Sequence, residues 1–138
     1  VLDNWKAVLG EERAVAGFPW HKFRASGVVL ALGTDAPTAP HDAPDNLFIA
    51  LTAKSSLDRS REAYQPERVF TPADALEAMS LGTAYASRRD TLHGRLATGY
   101  RANFVVWQAN PLNDASEALL GTSASLTVVD GAVAFERA

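Results

Sequence analysis

The feature that most constrains this sequence is a five-residue apolar run, residues 28–32 (Val-Val-Leu-Ala-Leu), followed at once by Gly-Thr-Asp-Ala-Pro. Runs this short and this uniformly apolar are typical of strands buried on both faces, as the strands of parallel sheets are. Residues 18–25, just before it, are predicted to form a helix that Ser26 and Gly27 end with a left-handed cap. A helix, a glycine and a buried strand make an αβ unit, so Asp35 is predicted to follow the carboxyl end of a parallel strand.

Other helices are predicted around this unit. Residues 3–16 are expected to form one or two short helical turns interrupted by Gly10, and residues 46–57 a further helix. The clearest start is at residues 71–74, where Thr71 offers a capping hydroxyl, a proline takes the first helical position and a carboxylate stands three residues after the cap. The helix that begins there is expected to run to about residue 88 or 89.

From Thr91 onward the sequence changes to β character. Residues 103–107 and 125–129 are rich in strand-forming types, and Asp130-Gly131 is a strong two-residue hairpin turn. The fold class is therefore predicted to be α/β, with residues 1–90 as a helix-rich part and residues 91–138 as a small antiparallel β part.

Composition and length exclude several classes of protein. The net charge is −3 and no basic stripe is present, which argues against nucleic acid as a partner. Cysteine is absent, so disulfides and thiolate metal sites are excluded. No apolar stretch is long enough to cross a membrane. No targeting segment fixes the compartment, and the cytoplasm is the default expectation.

A chain of 138 residues is short for a complete enzyme barrel, which typically needs about 250. The sequence also opens without a methionine, in the middle of an amphipathic pattern. We therefore expect it to be a fragment of a longer protein.

Asp35 is the leading candidate for chemistry. In a barrel of parallel strands, a residue just past the carboxyl end of a strand faces the mouth of the active site. A carboxylate there can bind a divalent cation and accept a proton from water. A loop aspartate can equally cap a turn or the next helix, and position alone does not separate these interpretations.

Four motifs in order make the sequence similar to the carboxy-terminal part of the amidohydrolase superfamily. Residues 31–37 resemble the segment in which the last barrel strand delivers an aspartate, and residues 70–76 resemble the start of the helix that follows. Residues 94–106 resemble the stretch that returns the chain to a β-sandwich beside the barrel, and residues 128–133 resemble its terminal hairpin. The proline-rich loop at residues 37–44 is similar to the subgroup that includes N-substituted formamide deformylases.

This resemblance implies a fold and an activity. The chain would form the last strand and helices of a distorted (β/α)₈ TIM barrel (residues 1–90) and carboxy-terminal strands of the accessory β-sandwich (residues 91–138). The parent enzyme would hydrolyse a C–N bond of a small-molecule amide with a divalent metal, most typically zinc. Asp35 would be both a metal ligand and the group that takes the proton of the metal-activated water and passes it to the leaving nitrogen.

Two departures from the family pattern stand out. Asn103 occupies a turn position that the family usually fills with aspartate, and asparagine can make most of the same hydrogen bonds. The family's His-x-His pair, its bridging lysine or glutamate and its later histidines have no counterpart. A catalytic zinc usually needs three protein ligands, so the fragment alone is predicted to be inactive and to bind no metal.

The remaining polar and aromatic candidates are weaker. His41, in the loop after Asp35, could contact substrate, although a solvated loop histidine is the commoner case. His21 is expected at the surface or in packing, and His93 at a structural turn. Asp42 and Asp45 are expected to cap the helix near residue 46. The three tryptophans are expected to pack in the core: Trp5, Trp20 and Trp107.

Two further interpretations stay open. The chain could be a non-catalytic interaction or assembly module in which Asp35 is a relic, or it could complete its site with a partner polypeptide. Because the apolar run at residues 28–32 needs strands on both sides, we expect either a homo-oligomer or a missing amino-terminal segment to cover it.

Overall fold

Helices fill the first part of the chain and an antiparallel sheet the second in the computed structural model, which describes residues 2–138. Val1, the first residue of the predicted helix-rich part, lies outside the described residues. The α-helices are α1 (Leu2–Leu9), α2 (Glu11–Val15), α3 (Trp20–Ala25), α4 (Ala43–Thr52), α5 (Pro72–Glu77) and α6 (Thr83–Ala86). The strands are β1 (Phe104–Trp107), β2 (Ala124–Val129) and β3 (Ala132–Glu136). Within residues 2–138 no helix has both the length and the apolarity that a bilayer crossing requires.

Local signals for helix ends are confirmed at three places. Gly10 lies at φ 83° and separates α1 from α2. Gly27, at φ 79°, follows the end of α3, as a left-handed cap requires. At the start of α5 the Thr71 hydroxyl accepts a hydrogen bond from the Asp74 amide, and Pro72 takes the first helical position.

Helix α4 differs from the prediction of a helix over residues 46–57. It begins three residues earlier because Pro44, whose fixed φ suits a first helical turn, lies inside it. It ends at Thr52, and the next residue, Ala53, adopts a left-handed conformation at φ 55°. Asp42 stands at the N-cap position without a capping side-chain hydrogen bond, so the predicted capping role of its carboxylate is wrong.

The helix predicted from Thr71 to about residue 88 is one continuous element with an irregular centre. Between α5 and α6 the residues Ala78–Gly82 form a π-helical turn, and α6 ends at Ala86. Such turns are rare and usually mark a place where packing or function requires a wider helix.

The β part is a three-stranded antiparallel sheet in the order β1-β2-β3. Asp130 (φ 50°) and Gly131 (φ 81°) both lie at positive φ, which is the geometry of the tight hairpin turn that the sequence predicts. Strand β3 is exposed along its whole length.

Asn103 ties this hairpin to the segment that precedes the sheet. Its side-chain oxygen accepts the Asp130 amide at 2.6 Å, and its side-chain nitrogen lies 3.0 Å from His93 Nδ1. The prediction that Asn103 acts as a turn residue in place of aspartate is confirmed, because the bond to Asp130 uses an oxygen that both residue types carry.

The strand predicted at residues 28–32 is not formed. These residues have no assigned strand, and Val28 and Val29 are 56% and 50% exposed rather than buried on two faces. A strand needs a neighbouring strand to pair with, and within residues 2–138 the strands β1, β2 and β3 pair only with one another.

Two of the five residues of the apolar run nevertheless pack against the core. The buried cluster consists of Leu47, Phe48, Phe70, Ala75 and Leu119. Leu30 and Leu32 pack against this cluster, while Ala31 between them is exposed. Full burial of a large side chain such as Leu47 or Phe48 contributes about 1.5–3 kcal/mol, so this cluster fixes the segment that leads to Asp35.

Close contact with the π-helical turn holds the same segment from the other side. The Leu32 amide donates to the Ala78 carbonyl at 3.1 Å. Gly82 lies so close to residue 30 that a Cβ added to it would stand 1.9 Å from the Leu30 carbonyl oxygen. Only a residue without a side chain allows this approach.

Replacing Gly82 with alanine is therefore expected to destabilise the fold. The added methyl group would have to displace backbone, and overpacking of this kind costs about 1–3 kcal/mol or more, against a gain of about 1 kcal/mol in helix propensity. Gly33→Ala is the matched control, because a Cβ there meets nothing within 4 Å. Urea unfolding should show a clearly lower free energy of unfolding for Gly82→Ala, and a free energy of unfolding within about 0.5 kcal/mol of the wild type for Gly33→Ala. Equal stabilities would contradict the close packing.

Candidate functional site

Asp35 lies on an exposed turn three residues after the anchored Leu32. Its φ of 57° is left-handed, a conformation that aspartate and asparagine adopt more readily than most residues. The chain turns over residues 36–38, directly after Asp35. The turn is closed by the Asp35 main-chain carbonyl, which accepts the amides of Thr38 at 2.9 Å and Ala39 at 3.3 Å.

The Asp35 carboxylate takes no part in this turn. Within residues 2–138 the carboxylate makes no side-chain hydrogen bond and no ion pair. It does not cap α4 either, because the N-cap residue of that helix is Asp42. A turn or helix cap, the alternative role for such an aspartate, would need the carboxylate oxygens to accept a backbone amide. The backbone of Asp35 is thus fixed while its charged group faces solvent.

The histidines are spread over three separate places. His41 is exposed in the loop before α4, and His21 is exposed on α3. His93 is half-buried and contacts Asn103, which agrees with the structural role predicted for it. No ion pair within residues 2–138 joins Asp35 to His41, and substrate binding by His41 stays a prediction.

The described residues do not form a metal site by themselves. Across residues 2–138 no three histidine, aspartate or glutamate side chains come together in an arrangement that could hold an ion. The metal implied by the sequence resemblance therefore finds fewer than three ligands held together among these residues, and Asp35 is the candidate that the sequence offers.

A cavity of about 550 Å³ opens beside the segment that leads to Asp35. Residues 30–33 form one wall of it, and one face of α4 forms another. Phe18 and Trp20, whose rings are 5.4 Å apart, form a third. Trp20 is 37% exposed and Trp5 stacks on Phe18 at 4.9 Å, and neither belongs to the buried cluster, so the prediction of core packing is wrong for both. Trp107 packs against the buried cluster, as predicted.

Three side chains on one loop hold the aromatic wall in place. Tyr64 donates to the Ala14 carbonyl at 3.2 Å, and Gln65 donates to the Val15 carbonyl. Arg68 donates to the carbonyls of Val15 at 3.0 Å and Gly17 at 2.9 Å. The sequence analysis did not find this role, since the partners lie about fifty residues apart and no local pattern joins them.

Similarity to known proteins extends over nearly the whole chain. The sequence profile described as "Amidohydrolase family" matches residues 3–135. YtcJ of Bacillus subtilis (strain 168), whose name describes it as an amidohydrolase, is 26% identical over 129 residues, 94% of this chain and 24% of YtcJ. The N-substituted formamide deformylase of Arthrobacter pascens is 27% identical over 137 residues, 99% of this chain and 24% of that protein.

A solved structure agrees at the level of fold. The amidohydrolase from Thermotoga maritima MSB8 superposes with a TM-score of 0.58 and 20% identity, over 85% of this chain and 25% of the other. The chain thus spans about a quarter of the length of the relatives it matches. Because the family profile covers nearly all of its residues, the chain belongs to the amidohydrolase family.

Proposed function

We propose that this chain supplies one part of an enzyme that hydrolyses a C–N bond of a small-molecule amide, with Asp35 as its proton-transfer residue. Membership of the amidohydrolase family supports the reaction class. The observation that carries the role of Asp35 is its geometry: an anchored backbone with a carboxylate that makes no hydrogen bond or ion pair within residues 2–138.

In this proposal Asp35 acts first as a base and then as an acid. Its carboxylate takes a proton from a water molecule as the water oxygen bonds to the amide carbonyl carbon. The protonated carboxyl then gives that proton to the amide nitrogen as the C–N bond breaks. The products are a carboxylic acid and an amine, and Asp35 returns to its charged form.

A divalent metal, if the enzyme uses one, needs ligands from beyond the described residues. Asp35 is a suitable oxygen ligand, and a bound cation would supply Lewis-acid activation of the carbonyl or the water. One carboxylate is too few for stable coordination of zinc, which takes about three protein ligands in catalytic sites. The remaining ligands would come from another segment or another chain.

The architecture proposed for the complete enzyme is a distorted (β/α)₈ barrel with an accessory β-sandwich. Residues 1–90 would provide the last strand and helices of the barrel, and residues 91–138 strands of the sandwich. The fold likeness to the Thermotoga maritima amidohydrolase supports this arrangement. Within it, residues 28–32 would pair with neighbouring strands that the chain itself does not supply.

The substrate class proposed first is an N-substituted formamide. It rests on the Arthrobacter pascens relative, which aligns over 99% of this chain. Other small amides are the alternatives, and a panel of formamides, acetamides and cyclic amides would rank them.

Assembly through exposed apolar surface is a second candidate function. Val28, Val29 and the whole of β3 are exposed, and open strand edges recruit other chains. A module that only binds a partner, or one half of a split enzyme, would use these surfaces. Purification with a histidine-rich partner chain that restores activity would favour the split enzyme.

Substituting Asp35 with asparagine is expected to lower kcat of the active assembly by about 10²–10⁴-fold, because a carboxamide cannot accept the proton. The fold should be unchanged, since asparagine adopts the left-handed backbone at position 35 as readily as aspartate. Asp42→Asn is the matched control, an exposed aspartate seven residues later whose side chain makes no cap. Steady-state kinetics and circular dichroism measure the two effects. More than half of the wild-type kcat in Asp35→Asn would show that Asp35 is only a turn residue.

The chain of residues 1–138 by itself is expected to retain no stoichiometric zinc and to hydrolyse no amide. The reason is that the described residues bring no three ligands together. Elemental analysis after dialysis against a weak chelator is the measurement. About one zinc held per chain would contradict this expectation and would require a site that residues 2–138 do not show in this fold.

A further inference from the structure

One face of α4 lines the cavity beside the Asp35 segment. Asn46, Ile49, Ala50 and Ala53 recur at helical spacing and all border it. The opposite wall consists of the apolar residues 30–33 and the two aromatic rings of Phe18 and Trp20. The body of the cavity is therefore apolar.

Most polar side chains around the cavity already have partners. Tyr64, Gln65 and Arg68 hold the carbonyls of residues 14–17, and Arg68 also lies 3.3 Å from the Glu67 carboxylate. The Ser55 hydroxyl accepts the amides of Leu57 and Asp58. These groups build the wall and are not free to bind a ligand.

Two polar side chains of the lining remain available. Within residues 2–138, neither the Lys54 ammonium nor the Asn46 carboxamide makes a side-chain hydrogen bond or an ion pair. No aspartate or glutamate lines the cavity, so Lys54 has no negative neighbour there. Lys54 is half-buried, which makes the interaction of its charge with an anion stronger than at an open surface.

The backbone around Lys54 is fixed. Ala53 ends α4 in a left-handed conformation, and its carbonyl accepts the Tyr64 amide at 2.9 Å. The Lys54 amide donates to the Thr52 hydroxyl at 3.2 Å. Asn46 lies six residues before Thr52, the last residue of α4, which is about 9 Å along a helix of 1.5 Å rise per residue.

From these observations we propose that the cavity binds a ligand with an apolar, preferably aromatic, body and a carboxylate, and that Lys54 pairs with this carboxylate. Asn46 is placed to hydrogen-bond a polar group at the other end of the ligand. The proposal rests on the proposed function, because it assigns to the Asp35 site an amide substrate that carries an apolar group with a carboxylate. The binding itself requires no turnover and is tested without it.

The test compares two probes of the same shape, 4-phenylbutanoate and its neutral amide, by isothermal titration calorimetry on the full chain. The carboxylate is expected to bind about tenfold more tightly than the amide at low ionic strength, and this preference should shrink with added salt. Lys54→Gln, which removes the charge and leaves a polar side chain only one bond shorter, should remove the preference and leave binding of the neutral probe unchanged. Lys22→Gln, on the exposed helix α3 outside the cavity, is the matched control and should change neither affinity.

Two further variants separate this proposal from the function of Asp35. Ala50→Phe fills the cavity from α4 and should abolish binding of both probes, while circular dichroism checks that the fold is kept. Asp35→Asn should bind both probes as the wild type does, whatever its effect on hydrolysis. Failure of the wild type to bind 4-phenylbutanoate, or a preference for it that survives Lys54→Gln, would overturn the proposal.

Discussion

The structure depends on the contact between residues 30–32 and the π-helical turn at Ala78–Gly82. The run that includes residues 30–32 has the composition of a sheet strand, yet no strand of the described chain pairs with it. What holds it is a helix: the Leu32 amide donates to the Ala78 carbonyl, and the Leu30 carbonyl lies against Gly82. An apolar segment that would otherwise lack partners for its backbone is thereby fixed on the core.

This contact is what gives Asp35 a defined place. The residue follows the anchored segment by three positions, adopts a left-handed backbone and closes its turn with its main-chain carbonyl. Because the carboxylate is not used to build the turn, it remains available for proton transfer. The same anchored segment forms one wall of the cavity, so the proposed ligand pocket and the proposed catalytic carboxylate share a single support.

Predictions from the sequence succeeded where the cause is local. The Thr71 cap, the Gly27 helix end and the hairpin at Asp130 each follow from the conformational preference of one or two residues. The chemistry assigned to Asp35 came from the order of family motifs; family membership is shown, and the role of the residue remains a prediction.

The features that the sequence did not predict share a physical cause: each depends on residues that are distant in the sequence. A strand at residues 28–32 was predicted from composition, but pairing requires neighbours that composition cannot supply. The π-helical turn lies against Leu30, which is about fifty residues earlier in the chain. The aromatic wall of the cavity depends on hydrogen bonds from Arg68 to the carbonyls of residues 15 and 17. Helix α4 begins three residues earlier than predicted because Pro44 fits a first helical turn.

The central claim is that this chain by itself fixes the segment that carries Asp35. Hydrogen exchange of the Leu32 amide, followed by NMR, tests it most directly, because that amide has one described partner, the Ala78 carbonyl. We expect Leu32 to exchange only through global unfolding, with a protection free energy close to that of the amides within β2. Exchange as fast as at the exposed Val29 would show that the segment is loose in this chain, and would contradict the account.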